Sequence, residues 1–407
     1  MKRILAVLAC VLLAGSTTFT QSREVSAVHW VATWGASPVP PGSTFGAPTT
    51  FENQTIRHVV RVSVGGQRVR VRFSNAFGAS PLRIGSAHVA RHDSGAAIVP
   101  GTDQVLTFGG RPSIVVPVGA VALSDPADLE VPNHGRLAVS IYVPDNTGPA
   151  TYHEVTRQTS YISGPGDFTG TLNMPVLQST VSRFFLSVVE VSTLRTVGGI
   201  VALGDSITVG ARSTVDAYHT WPDLLSARLN RFGVPRIAVV NAGVGCSRLL
   251  FDVCGQNGSA RFDRDVLAAA GATHMVIELG LNDIGIPTIL GVPSQLVSAD
   301  DIIVGIGQLI DRARANGLGV IGATITPVGS SVVPGFFTPE NEAKRQAVNE
   351  WIRTTDRFDA VVDFDLVLRD PSDPTRLLPA FNSGDGIHPT DAGYQALADA
   401  FNLSWFR

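Results

Sequence analysis

Cysteine is scarce in this chain of 407 residues, with only Cys10, Cys246 and Cys254. That excludes a small scaffold held together by a dense disulfide framework. An excess of either charge is also missing: 31 Lys plus Arg stand against 34 Asp plus Glu, a net charge of -3. A nucleic-acid binder would carry a basic surface, so no nucleic-acid partner is expected. No charged run is long enough to act as a tail. There is no internal repeat and no low-complexity segment. No apolar run reaches the roughly 20 residues needed to span a bilayer, so no transmembrane segment is expected. Nothing in the sequence points to an oligomeric state.

The N-terminus carries a pattern of its own. Lys2 and Arg3 precede an apolar run over residues 4–14 and a small, polar stretch over 15–22. This reads as an export signal over 1–22, with its cleavage site between Ser16 and Ala27. A membrane anchor is the competing reading, and the run is too short for it. Cys10 fits a lipidation site poorly, because the apolar run continues past it. An extracytoplasmic protein, secreted or periplasmic, is the expectation. Cys246 and Cys254 would then remain, and two cysteines in an exported chain predict one disulfide, with two free thiols as the alternative.

The rest of the chain is long enough for two cores. Residues 28–195 read as β-structure. Val60, Val62 and Val64 alternate with polar residues, as do Val69, Val71 and Phe73, and a period of two marks strands with one buried face. Gly65-Gly66 between them predicts a hairpin. Similar runs recur at 113–118, 137–143 and 184–191, so an all-β sandwich or jelly roll is expected. Residues 196–407 follow another grammar. Apolar runs at 200–203, 237–240, 274–279, 320–325 and 360–364 look like parallel strands buried on both faces. Helical patterns separate them. Ile302, Ile306, Leu309 and Ala313 share a face ended by Asn316-Gly317. A second helix is predicted over 339–358, and a third is capped by Thr390. Alternation of this kind predicts a doubly wound α/β sheet.

Such sheets bind ligands beyond the carboxyl ends of their strands. After the first strand comes Gly204-Asp205-Ser206-Ile207-Thr208. After the second comes Asn241-Ala242-Gly243, and after the third Gly280-Leu281-Asn282-Asp283. Beyond the fifth lies Asp385-Gly386-Ile387-His388-Pro389. A serine, an asparagine and an Asp-x-x-His pair thus converge on one edge. Serine becomes a nucleophile when a base takes its proton, which His388 can do, while Asp385 fixes the imidazole tautomer. Attack on an ester carbonyl places negative charge on its oxygen. The Ser206 and Gly243 amides and the Asn282 side chain are the expected donors to it. The G-x-S-x-G elbow of α/β-hydrolases is absent, since position 208 is threonine.

Four blocks carry a resemblance: GDSIT at the serine, the glycine of NAGVG, GLND, and DGIHPTDAGY. They resemble the SGNH branch of the GDSL esterases and lipases, a family named for a serine, glycine, asparagine and histidine matched by Ser206, Gly243, Asn282 and His388. Isoleucine stands for the leucine of the GDSL signature. The resemblance covers roughly residues 197–407. It implies a flavodoxin-like sheet, a Ser-His-Asp triad with Asp385, and no metal or cofactor. Some members carry a β-rich domain before the hydrolase, as here. The expected activity is hydrolysis of a carboxylic ester through an acyl-enzyme. Short acyl groups are favoured, on a small molecule or a polysaccharide. Acyl transfer by the same triad is one alternative. A glycan-binding protein on an inactive scaffold is the other.

Other residues invite sharper and blander readings. Asp205 is expected to close a turn, although it could orient the oxyanion loop. Asp283 is expected to brace Asn282, with a structural hydrogen bond as the alternative. His219 and His274 show no evident partner, and His88 and His92 fall in β-structure, where helical metal spacing does not apply. Asp363, Asp365 and Asp370 read as strand-end polarity ahead of a metal site. Trp34, Phe77 and Trp221 read as core ahead of pocket. The loop 213–221 is expected to shape the substrate pocket.

Overall fold

The computed structural model describes residues 28–42, 49–193, 197–231 and 237–406. The predicted signal over 1–22, Cys10 and the boundary at 195/196 lie outside the described residues.

The N-terminal part is a sandwich of two antiparallel sheets. The first contains β1 (His29–Gly35), β3 (Val69–Ser74) and β7 (Leu186–Thr193), in the order β1-β7-β3 with Val121–Leu123 at the far edge. The second contains β2 (Gln54–Arg61), β4 (Ser86–Arg91), β5 (Arg136–Val143) and β6 (Ser160–Pro165). Its order is β6-β2-β5-β4, flanked by Gln178–Thr180 and Gln104–Val105. Val71, Phe73 and Val189 of one sheet meet Ile56, Val139 and Ile141 of the other in one buried cluster. Packing of two inner faces is what the period-two pattern demands.

The hairpin expected at Gly65-Gly66 does not form. β2 pairs with β5 and β6, whereas β3 pairs with β7 and Val121–Leu123. The glycines instead carry the chain from one sheet to the other. A Cβ on Gly65 would lie 2.1 Å from the Val131 carbonyl oxygen, and one on Gly66 2.3 Å from that of Ser192. The signal was for close backbone approach, which a tight turn and a sheet crossing share.

The C-terminal part is built on five parallel strands: β8 (Gly198–Gly204), β9 (Ile237–Gly243), β10 (Ala272–Glu278), β11 (Gly319–Ala323) and β12 (Ala360–Val362). Their order is β9-β8-β10-β11-β12. That is the 2-1-3-4-5 order of doubly wound flavodoxin-like sheets. Short helix α1 (Ser206–Val209) follows β8, and α2 (Trp221–Arg231) leads toward β9. α3 (Gly258–Phe262) continues into a wider turn over Asp263–Leu267 before β10. α4 (Leu281–Leu290) and α5 (Ala299–Ala315) lie between β10 and β11, and α6 (Pro339–Thr354) between β11 and β12. α7 (Phe364–Leu368) and α8 (Asp391–Asp399) close the fold.

α5 starts in a Ser298/Asp301 capping box and ends at Asn316, with Gly317 at φ 75°. Thr390 caps α8. α6 stops at Thr354, four residues short of the predicted end. The last apolar run also breaks early, because Phe364 already belongs to α7, capped by Asp363.

The two parts share a tight seam. The Ala32 N–H donates to the Ala270 carbonyl at 2.8 Å. Val239, on the open edge of β9, donates its N–H to Ser63 Oγ at 3.0 Å. The β-sandwich thus covers a sheet edge that would otherwise be free to pair with another chain. Among the described residues, no helix is long and apolar enough to cross a membrane.

Candidate active site

Each β8–β10 strand delivers its residue at its carboxyl end. After β8 the chain turns sharply into α1. Asp205 caps that helix, its Oδ1 accepting from the Ile207 N–H at 2.9 Å, and so sets Ser206 as the first helical residue. On the long loop before α8, His388 Nε2 lies 2.8 Å from Ser206 Oγ, and its Nδ1 lies 2.8 Å from Asp385 Oδ2. Asp385 also accepts the backbone N–H groups of His388 and Ile387, at 2.8 and 3.0 Å. Burial pushes the Asp385 carboxyl up. Hydrogen bonds from the His388 ring and backbone, with the histidine charge, outweigh this and hold it well below the usual carboxylate range. A carboxylate so fixed keeps Nδ1 protonated and leaves Nε2 facing the serine.

Asn282 opens α4 and is buried. Its Nδ2 donates to Asp205 Oδ2 at 3.2 Å and to the Ser247 carbonyl at 3.1 Å. Asp205 therefore does both things considered for it: it caps the turn and holds the asparagine. Asp283 does not brace Asn282. Its carboxylate accepts the N–H groups of Leu249 and Leu250 at 2.6 and 3.0 Å, pinning the loop after β9. Its side chain points to that loop because Asn282 and Asp283 are adjacent on a helix and project in different directions.

Gly243 sits at the end of β9, and its role differs from expectation in one respect. Its N–H donates to Asn241 Oδ1 at 2.9 Å. A Cβ at this position would lie 2.4 Å from the Val209 nitrogen, so glycine permits α1 to pack against β9. On the same turn, Gly245 and Cys246 line the cleft in front of Ser206. Cys246 has φ 47°, a left-handed conformation that a side-chain-bearing residue rarely adopts. Its Cα is 5.7 Å from that of Cys254, within disulfide distance.

Beneath the serine turn lies a buried carboxyl pair that the sequence reading missed. Glu278 ends β10, and its Oε2 accepts from Thr208 Oγ1 at 2.8 Å and the Asp205 N–H at 3.4 Å. Burial raises the pKa of both Glu278 and Asp205, and the negative charge of Asp205 raises that of Glu278 further. The signal was legible: one acid closing the apolar run Met275, Val276 and Ile277 at the end of β10.

Ser206, His388 and Asn282 open onto a cleft of about 580 Å³. Arg212 lines it, with φ 70° and its Nε 3.2 Å from Asp385 Oδ2. The loop 213–221, expected to shape the substrate pocket, does not line this cleft; its neighbours Ala211 and Arg212 do. The Arg157 guanidinium donates to the Ser213 carbonyl, and Thr159 donates its N–H to Asp216 at 2.7 Å. His219 does have a partner, Asp391 at 2.8 Å, which only the approach of α8 reveals. Trp34 and Trp221 are core residues, while Phe77 is half-buried with the Arg264 guanidinium 5.3 Å over its ring. His274 contacts Thr273, His88 pairs with Asp103, and His92 meets the Gly95 carbonyl. Asp363 and Asp365 are held by Arg353, and Asp365 also by Arg345; Asp370 turns to Ser372.

No curated protein matches the chain. Several solved structures do. A GDSL-like lipase from Bacteroides thetaiotaomicron shares 20% identity over 49% of this chain and 84% of its own, with a TM-score of 0.38. The lipase/acylhydrolase from Enterococcus faecalis shares 21% over 50% and 92%, with a TM-score of 0.39. A carbohydrate acetylesterase from Sinorhizobium meliloti shares 17% over 50% and 95%, with a TM-score of 0.39. Residues 202–396 match the model of the GDSL-like lipase/acylhydrolase family, and the C-terminal domain of this chain belongs to that family.

Proposed function

We propose that this protein is an exported serine esterase that cleaves carboxylic esters through an acyl-enzyme. One observation carries the reading: the unbroken chain from Ser206 Oγ through His388 to Asp385, with 2.8 Å at each step. Ser206 Oγ attacks the carbonyl carbon as His388 Nε2 takes its proton. Negative charge moves to the carbonyl oxygen, where the Ser206 N–H and Asn282 Nδ2 donate to it. Gly243 is the third expected donor. Asn241 engages its N–H here, and the same turn also brings Gly245 and Cys246 to the cleft as further sources of a backbone donor. The alcohol leaves with the proton from His388, and His388 then draws a proton from water, which attacks the acyl-enzyme. None of these steps uses a metal or cofactor.

Export rests on the sequence of residues 1–22, and a Cys246–Cys254 disulfide accords with it. On this reading a β-domain spans 28–195 and a hydrolase domain 196–407. Acyl transfer to an alcohol would use the same groups, with the alcohol replacing water in the second step. A glycan-binding protein on an idle scaffold has no need of an aligned serine and histidine, which disfavours that alternative. Short acyl groups, on a small molecule or as acetyl on a polysaccharide, are the substrates the sequence favours.

The test is turnover of p-nitrophenyl esters by the purified protein, by Ser206→Ala and by His388→Ala. Wild-type activity should vanish in the first variant and fall by about 10⁴–10⁶ in the second, since such groups act as a unit. Activity surviving Ser206→Ala would sink the proposal.

A further inference from the structure

The cleft before Ser206 is walled by both domains. Ile286, Ile289 and Leu290 of α4 line it with Phe336. Val39 and Val155, which come from the β-sandwich, line it too. This β-sandwich lining is built in. Val39 donates its N–H to the Tyr152 carbonyl at 2.7 Å, and a Cβ on Gly255 would lie 2.9 Å from Val39 Cγ1, so the loop carrying Cys254 rests on it. Arg157, two residues beyond Val155, is tied to the Ser213 carbonyl of the hydrolase domain.

Half of the lining residues are aliphatic, with Phe336 beside them and no Trp or Tyr; Glu154, Arg157 and Arg212 are the charged members of the lining. Ile289 and Leu290 remain 37% and 54% exposed at the mouth, apolar surface left in water that a bound apolar group would cover. Ile286, Ile289, Leu290 and Phe336 offer a sugar no hydrogen-bond partner, so that part of the cleft suits an apolar group. An acetyl group would fill little of about 580 Å³, a volume ordinary for a site that encloses a whole small molecule.

Resting on the esterase reading above, we propose that the cleft holds a medium-length aliphatic acyl group and that the β-sandwich, through Val39 and Val155, forms the wall that sets which acyl group is accepted. The β-domain is then a part of the substrate site. Each methylene buried in the transition state is worth roughly fourfold in kcat/KM at most, so even partial burial accumulates along a chain.

The experiment measures kcat/KM of the full-length protein on p-nitrophenyl acetate, butyrate, octanoate and palmitate. A parallel series of acetate esters carries alcohols of increasing length. Val155→Trp, which narrows the cleft, and Val155→Asp, which charges its wall, are measured alongside. The octanoate-to-acetate ratio within one preparation is independent of the fraction folded. Wild type should favour octanoate by at least about tenfold, and both variants should lower that ratio by about the same factor. A steady fall from acetate onward overturns the proposal, as does a length preference confined to the alcohol series or a ratio unchanged in both variants. A serine-directed alkyl phosphonate separates the two readings. Labelling of Ser206 with no octanoate preference leaves the esterase standing and removes the acyl-site inference. Absence of both labelling and ester turnover removes the esterase reading, and this inference with it.

Discussion

If Asn282 donates to the oxyanion as proposed, its side chain is oriented for that role in advance. An amide left free would rotate and lose entropy on meeting an oxyanion; here two acceptors, Asp205 Oδ2 and the Ser247 carbonyl, orient it beforehand. The distances of 3.1–3.2 Å are long, which leaves Nδ2 able to shift toward a stronger acceptor. Asn282→Ala should lower kcat by about 10²–10³, the usual effect of removing one such donor. The melting temperature should also fall, because the buried Asp205 Oδ2 and Ser247 carbonyl each lose a donor, so kcat is taken per folded enzyme. Steady-state kinetics with a thermal melt checks this, and a silent variant would show that Asn282 does not face the charge. Ser206, His388 and Asp385 were legible as residues because motif spacing names them. The bracing of Asn282 was misassigned to Asp283, its sequence neighbour, since only the turn after β8 brings Asp205 across.

At the scale of elements, Arg261 fastens the strands that carry the site. This buried guanidinium on α3 donates to the Gly204 carbonyl at 2.8 Å and the Ala242 carbonyl at 2.6 Å, the ends of β8 and β9. It reaches Asp265 at 3.1 Å and Ser37 Oγ of the β-sandwich at 3.3 Å. Arg261→Ala would strand two buried carbonyls and leave a cavity, so it should cost about 3–5 kcal/mol. Urea denaturation measures this directly, and a loss under about 1 kcal/mol would mean that water replaces the guanidinium. Gly204 is two residues before Ser206, so kcat should fall with stability. The strands themselves were readable from their apolar runs, and α5 and α8 from their caps. Arg261 was not, because a lone Arg in a helix looks like an exposed one until the strand ends are seen above it.

For the whole molecule, the seam between the domains predicts a single cooperative transition. Ala238 of β9 belongs to the sandwich core, and Ala32 of β1 to the hydrolase core. Calorimetry should give one peak with van't Hoff and calorimetric enthalpies equal, and two resolved peaks would contradict a shared core. Acid should act through buried histidines. Burial pushes His58 down to about 3 and His153 to about 4. Both therefore take up protons more readily when unfolded. Their contribution to stability is full above about pH 6.5 and is lost as pH falls toward their folded values, roughly 2 kcal/mol each by pH 5. Asp205, Glu278 and Asp283 have raised values and pull the other way on the acid side of neutrality. The comparison that isolates the histidine is the melting-temperature difference between wild type and His58→Gln at pH 7 and pH 5. It should move in favour of the variant at pH 5, and a constant difference would mean that His58 titrates normally.

The amino-acid sequence alone determined the two architectures, the order of motifs along the strand ends, and the identities of the serine, histidine and aspartate. Periodicity and local spacing are properties of neighbours in the chain, and these features need nothing more. Tertiary structure alone decided where Gly65-Gly66 leads, what holds Asn282, and that Val39 and Val155 line one cleft with residues of α4. Each of these joins residues from tens to hundreds of positions apart. Their proximity comes from burial of two sheets and a seam, and no local signal in the chain records it.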